Sequence, residues 1–197
     1  MFQKLHVFDL DGTTIDSFHR VEPCIKPDGD LDLQAYRETA CTHNKVQADT
    51  LLPLAKYMQD LIQKGEKVAI CTARKMSKTD YVFLRKAGIR VNTICSRDQL
   101  FKHFDPVLAK SIYHMKDADY KRFWLQRLQV LFPLHSLVLY DDHDGVLQMA
   151  SELGVIAYDS KEMNQILDAA YKIGYSDAIE DYENEIEDIL NEVAQQM

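Results

Sequence analysis

The residues of this chain that could do chemistry fall at the ends of short apolar runs. Asp9 and Asp11 follow Leu5-His6-Val7-Phe8, and Thr72 and Arg74 follow Val68-Ala69-Ile70-Cys71. Asp141 and Asp142 follow Leu137-Val138-Leu139-Tyr140, and Lys121 precedes that acidic pair by about one helix. In an open parallel sheet, ligands bind beyond the carboxyl ends of the strands. Those apolar runs therefore predict one crevice that holds Asp9, Asp11, Asp141 and Asp142 with Thr72, Arg74 and Lys121 beside them. Crowded carboxylates repel one another unless a cation is present. A donor set made only of oxygens suits Mg²⁺, which takes a few carboxylates and keeps waters.

Other ion- and phosphate-binding patterns fail on spacing. A calcium loop anchored on Gly145 would begin at Tyr140 and end at Ser151, neither of which fits. Neither G-x-x-x-x-G-K-[ST] nor G-x-G-x-x-G is present, so the chain has no recognisable ATP or dinucleotide loop. Cys24, Cys41 and His43 match no common zinc spacing. The four cysteines contain no C-x-x-C pair and read as reduced thiols.

The elements that must position these groups follow from periodicity. Continuous apolar runs at Leu5–Asp9, Lys67–Cys71, Val91–Cys95, Ser136–Tyr140 and Val155–Tyr158 read as buried strands. Helical spacing of Leu51, Leu54, Ala55, Met58, Leu61 and Ile62 ends at Gly65, and further helices are expected at Asp80–Ala87, Asp119–Leu131 and Val146–Leu153. Alternating strands and helices predict an α/β, Rossmann-like, three-layer domain over 1–175, a parallel sheet with helices on both faces. A small insert near 16–49, with Pro23, Pro27 and Gly29, reads as mostly loop, as does 98–116 with Pro106. From Ser176 to Met197 an acidic helix is expected, with Ile179, Tyr182, Ile186, Ile189 and Val193 on one stripe. Its plain reading is a helix docked on its own domain; the other is a contact for a partner or a second subunit of a homo-oligomer.

With 23 basic and 31 acidic residues the formal charge is −8, which disfavours non-specific coating of nucleic acid but not a local basic pocket for one end. No apolar run approaches a membrane span, and the first residues run straight into a strand without the look of a signal peptide. A soluble protein of the cytoplasm is the expectation.

Phe8-Asp9-Leu10-Asp11-Gly12-Thr13, Ile70-Cys71-Thr72, Lys121 and Leu137-Val138-Leu139-Tyr140-Asp141-Asp142, in this order, resemble the four motifs of the haloacid dehalogenase (HAD) superfamily of phosphohydrolases. The resemblance spans roughly Leu5 to Tyr158. It implies that Asp9 attacks phosphorus to form an aspartyl-phosphate and that Asp11 protonates the leaving alcohol and later activates water. It also implies Mg²⁺ held by Asp9, the Asp11 backbone oxygen and Asp142, with Asp141 beside them, and Thr72 and Lys121 on the phosphoryl oxygens. Each role has a plainer rival: Thr72 as a helix cap, Lys121 as a solvated lysine with Lys116 in its place, and Arg74 and Arg97 as surface residues. His143 and Asp144 read as loop and turn residues.

The short insert leaves room for a minimal cap or none, which favours a large substrate or a lid from another subunit. Thr72-Ala73-Arg74, Cys95-Ser96-Arg97-Asp98, Asp119 to Trp124 and the acidic pair are similar to the phosphatase domain of phage-type polynucleotide kinase/3′-phosphatases, which implies that Arg74 and Arg97 assist phosphate binding. The expected activity is Mg²⁺-dependent removal of a phosphate from nucleotides or from 3′-ends of polynucleotides. The alternatives are a phosphatase of sugar or other metabolite phosphates, and a HAD-derived binding module. A phosphoacceptor signalling domain fits less well, because its acidic pair belongs near the first strand.

Overall fold

The computed structural model describes residues 3–172, without the side chain of Leu33. The acidic stripe expected from Ser176 onward lies outside the described residues. Along the chain the strands are β1 (Gln3–Phe8), β2 (Ile15–Asp16), β3 (Thr50–Leu51), β4 (Lys67–Cys71), β5 (Thr93–Cys95), β6 (His135–Asp141) and β7 (Ile156–Asp159). The helices are α1 (Phe18–Val21), α2 (Leu33–Ala35), α3 (His43–Gln47), α4 (Pro53–Gln63), α5 (Lys78–Lys86), α6 (Leu100–His103), α7 (Pro106–Tyr113), α8 (Asp117–Leu131), α9 (Asp144–Glu152) and α10 (Ser160–Lys172).

The main sheet has the order β5-β4-β1-β6-β7, and every pairing in it is parallel. Alternation along the central strand sends Leu5 and Val7 to one face and Phe8 to the other. Leu5, Val7, Leu137 and Leu139 pack with Trp124, Leu125 and Leu128 of α8 and with Val146 and Met149 of α9. Phe8, Ile70, Val138 and Tyr140 pack with Leu54, Met58 and Leu61 of α4 and with Met163 and Leu167 of α10. Two apolar layers, one on each face, give the three-layer arrangement expected for continuously apolar strands.

Three stretches depart from the sequence reading. The segment 98–116 holds α6 and α7; Pro106 starts α7 instead of breaking it, because Asp105 caps the helix by accepting from the Val107 and Leu108 amides. The insert contains α1, α2 and α3 and is closed at its base by the antiparallel pair β2–β3. Helix α10, which the strand-to-tail reading passed over, packs on α4 and completes the second layer.

The core also buries a titratable group. His6 is 5 % exposed, and its Nδ1 lies 3.1 Å from the Tyr140 hydroxyl. Burial, with Lys4 adding to it, pushes its pKa down from 6.5 to about 4. The folded state therefore binds fewer protons than the unfolded chain between those values, so this contribution is complete above pH 6.5 and is lost as pH falls to about 4. The full swing is about 3 kcal/mol. Urea midpoints measured from pH 7 to pH 4 should fall less steeply in His6→Phe than in the wild type. Parallel profiles would show that His6 is not the group responsible.

Candidate active site

The site begins where β1 ends. Register places Phe8 level with Ile70 of β4 and with Tyr140 of β6, so Asp9, Cys71 and Asp141 stand side by side at the carboxyl edge. The Asp9 amide donates to Tyr140 O at 3.0 Å, which extends the ladder by one residue. The chain then turns tightly: the amides of Thr13, Thr14 and Ile15 all donate to Leu10 O, and Thr14 Oγ1 donates to Asp9 O at 3.0 Å. Gly12 makes the turn possible. Its φ is +75°, and a Cβ there would lie 2.6 Å from Asp142 Oδ2, so only glycine lets the Asp142 carboxylate approach this backbone.

Lys121 joins the two acidic strand ends. Its Nζ is 3.0 Å from Asp9 Oδ2 and 2.6 Å from Asp141 Oδ2, and all three side chains are buried. Helix α8 delivers it on the face that buries Tyr120, Trp124, Leu125 and Leu128, whereas Lys116 is the exposed residue at the helix start. Of the two lysines weighed from sequence, Lys121 is the one that meets the acidic strand ends. Burial would lower the Lys121 pKa, but Asp9 and Asp141 outweigh it and hold the ammonium charged. Burial raises Asp9, against the pull of Lys121. Burial, with the Asp9 charge added, raises Asp141 to about 7.

Asp9, Asp141 and Asp142 can each present an oxygen such that all lie within 4.8 Å of one another. Asp141 spends Oδ2 on Lys121 and accepts the His143 amide on Oδ1 at 3.1 Å. Asp9 Oδ1, by contrast, is buried with no hydrogen-bond partner. A buried, unsatisfied carboxylate oxygen in a group of three clustered carboxylates is the donor set that a hard divalent cation completes. The residues present fit Mg²⁺. Among the described residues Cys24, Cys41 and His43 form no such group; His43 Nδ1 is instead 3.1 Å from Thr79 Oγ1, and all four cysteines are free.

Asp11 has a separate environment. Arg74 donates to it through Nε at 2.9 Å and Nη2 at 2.5 Å, Ser17 Oγ donates at 2.6 Å, and Arg20 Nη2 lies at 3.3 Å. Burial raises the Asp11 pKa, opposed first by Arg20 and then by the Ser17 hydroxyl. The third arm of Arg74, Nη1, goes to Asp80 Oδ1 at 2.6 Å. Arg74, expected on the phosphate, hydrogen-bonds to the carboxylates of Asp11 and Asp80 and lies 3.8 Å from Asp49. Asp80 is itself fixed by the capping box with Ser77 at the start of α5.

Arg97, the other arginine expected on the phosphate, makes contacts within the protein. Its Nε donates to Ala73 O at 2.6 Å, Nη1 to Tyr113 O, and Nη2 to Met115 O at 3.0 Å and to Asp117, while the group lies over the Tyr120 ring. It ties together the chain after β4 and the turn before α8. Thr72 is buried beyond β4, where its hydroxyl accepts the Arg74 amide at 3.3 Å; it caps no helix, because α5 starts only at Lys78 with Ser77 as its N-cap.

Sequence reasoning missed the insert's contribution. Arg20 is fully buried and grips Asp49 through Nε at 2.7 Å and Nη2 at 3.0 Å, while Nη1 reaches the Tyr36 hydroxyl at 3.4 Å. Asp49 also takes His19 Nε2 at 3.1 Å. The insert therefore reaches the site as a buried ion-pair network that ends on Asp11.

A family model described as bacteriophage T5 5′-deoxynucleotidase matches residues 1–197. The 5′-deoxynucleotidase of Escherichia phage T5 is 42 % identical over 170 residues, which cover 83 % of this chain and 70 % of that protein. A haloacid dehalogenase-like hydrolase, SP0104 from Streptococcus pneumoniae, has a TM-score of 0.54 at 16 % identity over 80 % of this chain and 84 % of its own. A chain of the Pnkp1/Rnl/Hen1 RNA repair complex has a TM-score of 0.50 at 20 % identity, over 80 % of this chain and 42 % of that one. At these identities the structural likeness is one of fold, and the fold is that of the HAD hydrolases. Among the described residues no helix is long and apolar enough to cross a membrane.

Proposed function

From the premise that the chain belongs to the bacteriophage T5 5′-deoxynucleotidase family, we propose that it is a Mg²⁺-dependent phosphomonoesterase acting on deoxynucleoside 5′-monophosphates through an aspartyl-phosphate. The observation that carries this reading is Asp9 itself: a buried carboxylate with one oxygen on Lys121 and the other without a hydrogen-bond partner, in a group that also brings Asp141 and Asp142 within reach of one ion. Mg²⁺, held by Asp9 and Asp142 with Asp141 and the Asp11 carbonyl beside them, would offset the charge of the transferring phosphoryl group.

The chain's own groups account for the rest. A carboxylate oxygen of Asp9 forms a bond to phosphorus as the bond from phosphorus to the sugar oxygen breaks. Asp11 gives that oxygen its proton, then takes one from the water that attacks the Asp9–phosphate and frees inorganic phosphate. Lys121 stays charged and neutralises phosphoryl oxygens, and Thr72 offers a hydroxyl at the same strand edge. Arg74 and Arg20 orient Asp11 in place of gripping phosphate.

The phosphate position separates this reading from the one suggested by polynucleotide 3′-phosphatases. Release of phosphate from the four deoxynucleoside 5′-monophosphates, a 3′-phosphorylated oligonucleotide and sugar phosphates should be measured with Mg²⁺ and with EDTA. The expected result is turnover of the 5′-monophosphates that EDTA abolishes. Preference for the oligonucleotide would move the substrate to polynucleotide ends, and preference for sugar phosphates would end the nucleotide reading. Absence of turnover on all of them would leave a HAD-derived binding module.

A further inference from the structure

Three side chains at the start of α10 reach the loops that carry the acidic cluster, although none of them belongs to it. Ser160 Oγ lies 3.0 Å from Thr13 Oγ1, and both residues are fully buried. Asn164 Nδ2 donates to Thr13 O at 2.9 Å, while its Oδ1 accepts the Leu54 amide at 2.8 Å. Lys161 Nζ donates to Asp142 O at 2.5 Å. One turn of helix thus ties down the residue after Gly12, the first turn of α4 where the chain returns from the insert, and the backbone of Asp142.

These three anchors surround the Gly12–Asp142 contact. The Asp142 carboxylate lies on the Gly12 backbone with no room for a Cβ, so a small shift of either loop changes where its oxygens lie relative to Asp9. The turn at Gly12 is held by local bonds to Leu10, and the Asp142 loop leaves the far end of β6. The direct side-chain ties that cross from the first loop to α10 are those of Ser160 and Asn164 among the bonds above.

We propose that the first turn of α10 is a positioning device, with Ser160 and Asn164 holding the loop after Gly12 and Lys161 the backbone of Asp142, so that it sets the separation of the two loops and thereby the affinity of the acidic cluster for a divalent cation. The inference rests on the metal reading given under Proposed function. Partners that orient metal ligands change affinity by about 10–100-fold when removed.

The test uses the full chain and Mn²⁺ as the probe, with binding followed by the loss of free-ion paramagnetic resonance signal well below the melting temperature. Asn164→Ala should raise the Mn²⁺ dissociation constant about tenfold, and the double variant with Ser160→Ala should raise it further. Ser160→Ala alone removes one hydroxyl, and Asn164→Asp keeps the acceptor for Leu54 while losing the donor to Thr13. Both are expected to weaken binding and serve if Asn164→Ala folds poorly. A wild type that binds Mn²⁺ with variants within twofold of it would overturn the inference alone. A wild type that takes up no Mn²⁺ would overturn the metal reading and the inference with it.

Discussion

Asp9→Asn is expected to abolish phosphate release, with a loss on the order of 10⁴-fold or more in kcat, as for removal of a covalent nucleophile. The amide has nearly the shape of the carboxylate but lacks the charge and nucleophilicity needed to attack phosphorus. The fold should survive. Burial already raises the Asp9 pKa, and Asp9 in turn pushes Asp141 up, so neutralising it removes a repulsion between buried carboxylates. Lys121 keeps its contact with Asp141 at 2.6 Å. The melting temperature should therefore stay within about 4 °C of the wild type, the shift that roughly 1 kcal/mol gives in a chain of this size. Hydrolysis at an unchanged rate would remove Asp9 from the role of nucleophile. A cooperative transition that vanishes would show that its charge is needed for folding.

The strand ends were legible because their signal is local. Apolar runs that stop at Asp9, Thr72 and Asp141 state both the strand and the residue it delivers, and parallel register then sets Asp9 beside Asp141 without further information. Lys121 was only half legible: its place before the acidic pair pointed to it but left Lys116 as a rival, and its burial beside Tyr120, Trp124, Leu125 and Leu128 shows only in the structure. The polar network on Asp11 was not legible. Arg20 and Asp49 meet because β2 and β3 close the base of the insert, and neither residue stands in a periodic pattern that would announce a buried ion pair. Asp80 had a signal, the Ser77-to-Asp80 spacing of a capping box, but that spacing says nothing of the Arg74 contact. The two arginines expected on phosphate were placed by motif position alone. Charge marks a residue as able to bind an anion but does not say which acceptors its arms reach in the folded chain: carboxylates for Arg74, mostly neutral backbone carbonyls for Arg97.

That network supports a second large effect. Arg20→Met should destabilise the fold by about 3–5 kcal/mol, the cost of breaking a buried ion pair from one side, because Asp49 is left 6 % exposed with His19 and a 3.8 Å contact to Arg74. The charge of Arg20 is held against burial by Asp49 and Asp11, so both carboxylates lose a committed partner. Urea unfolding at neutral pH measures this directly. The catalytic consequence travels through Asp11, which keeps both Arg74 bonds but loses Arg20 and the anchoring of the insert around Ser17. General acids contribute about 10²–10⁴-fold, and most where the leaving group is a poor one. With Asp11 as the proposed general acid, a sugar alkoxide would need its proton, whereas p-nitrophenolate would leave without it. Under conditions where the variant is folded, kcat/KM on a deoxynucleoside 5′-monophosphate should therefore fall by about 10²-fold and on p-nitrophenyl phosphate by less than about tenfold. Equal losses on the two substrates would mean that Arg20 serves the fold and not the orientation of the acid. A loss confined to stability would detach the insert from the chemistry altogether.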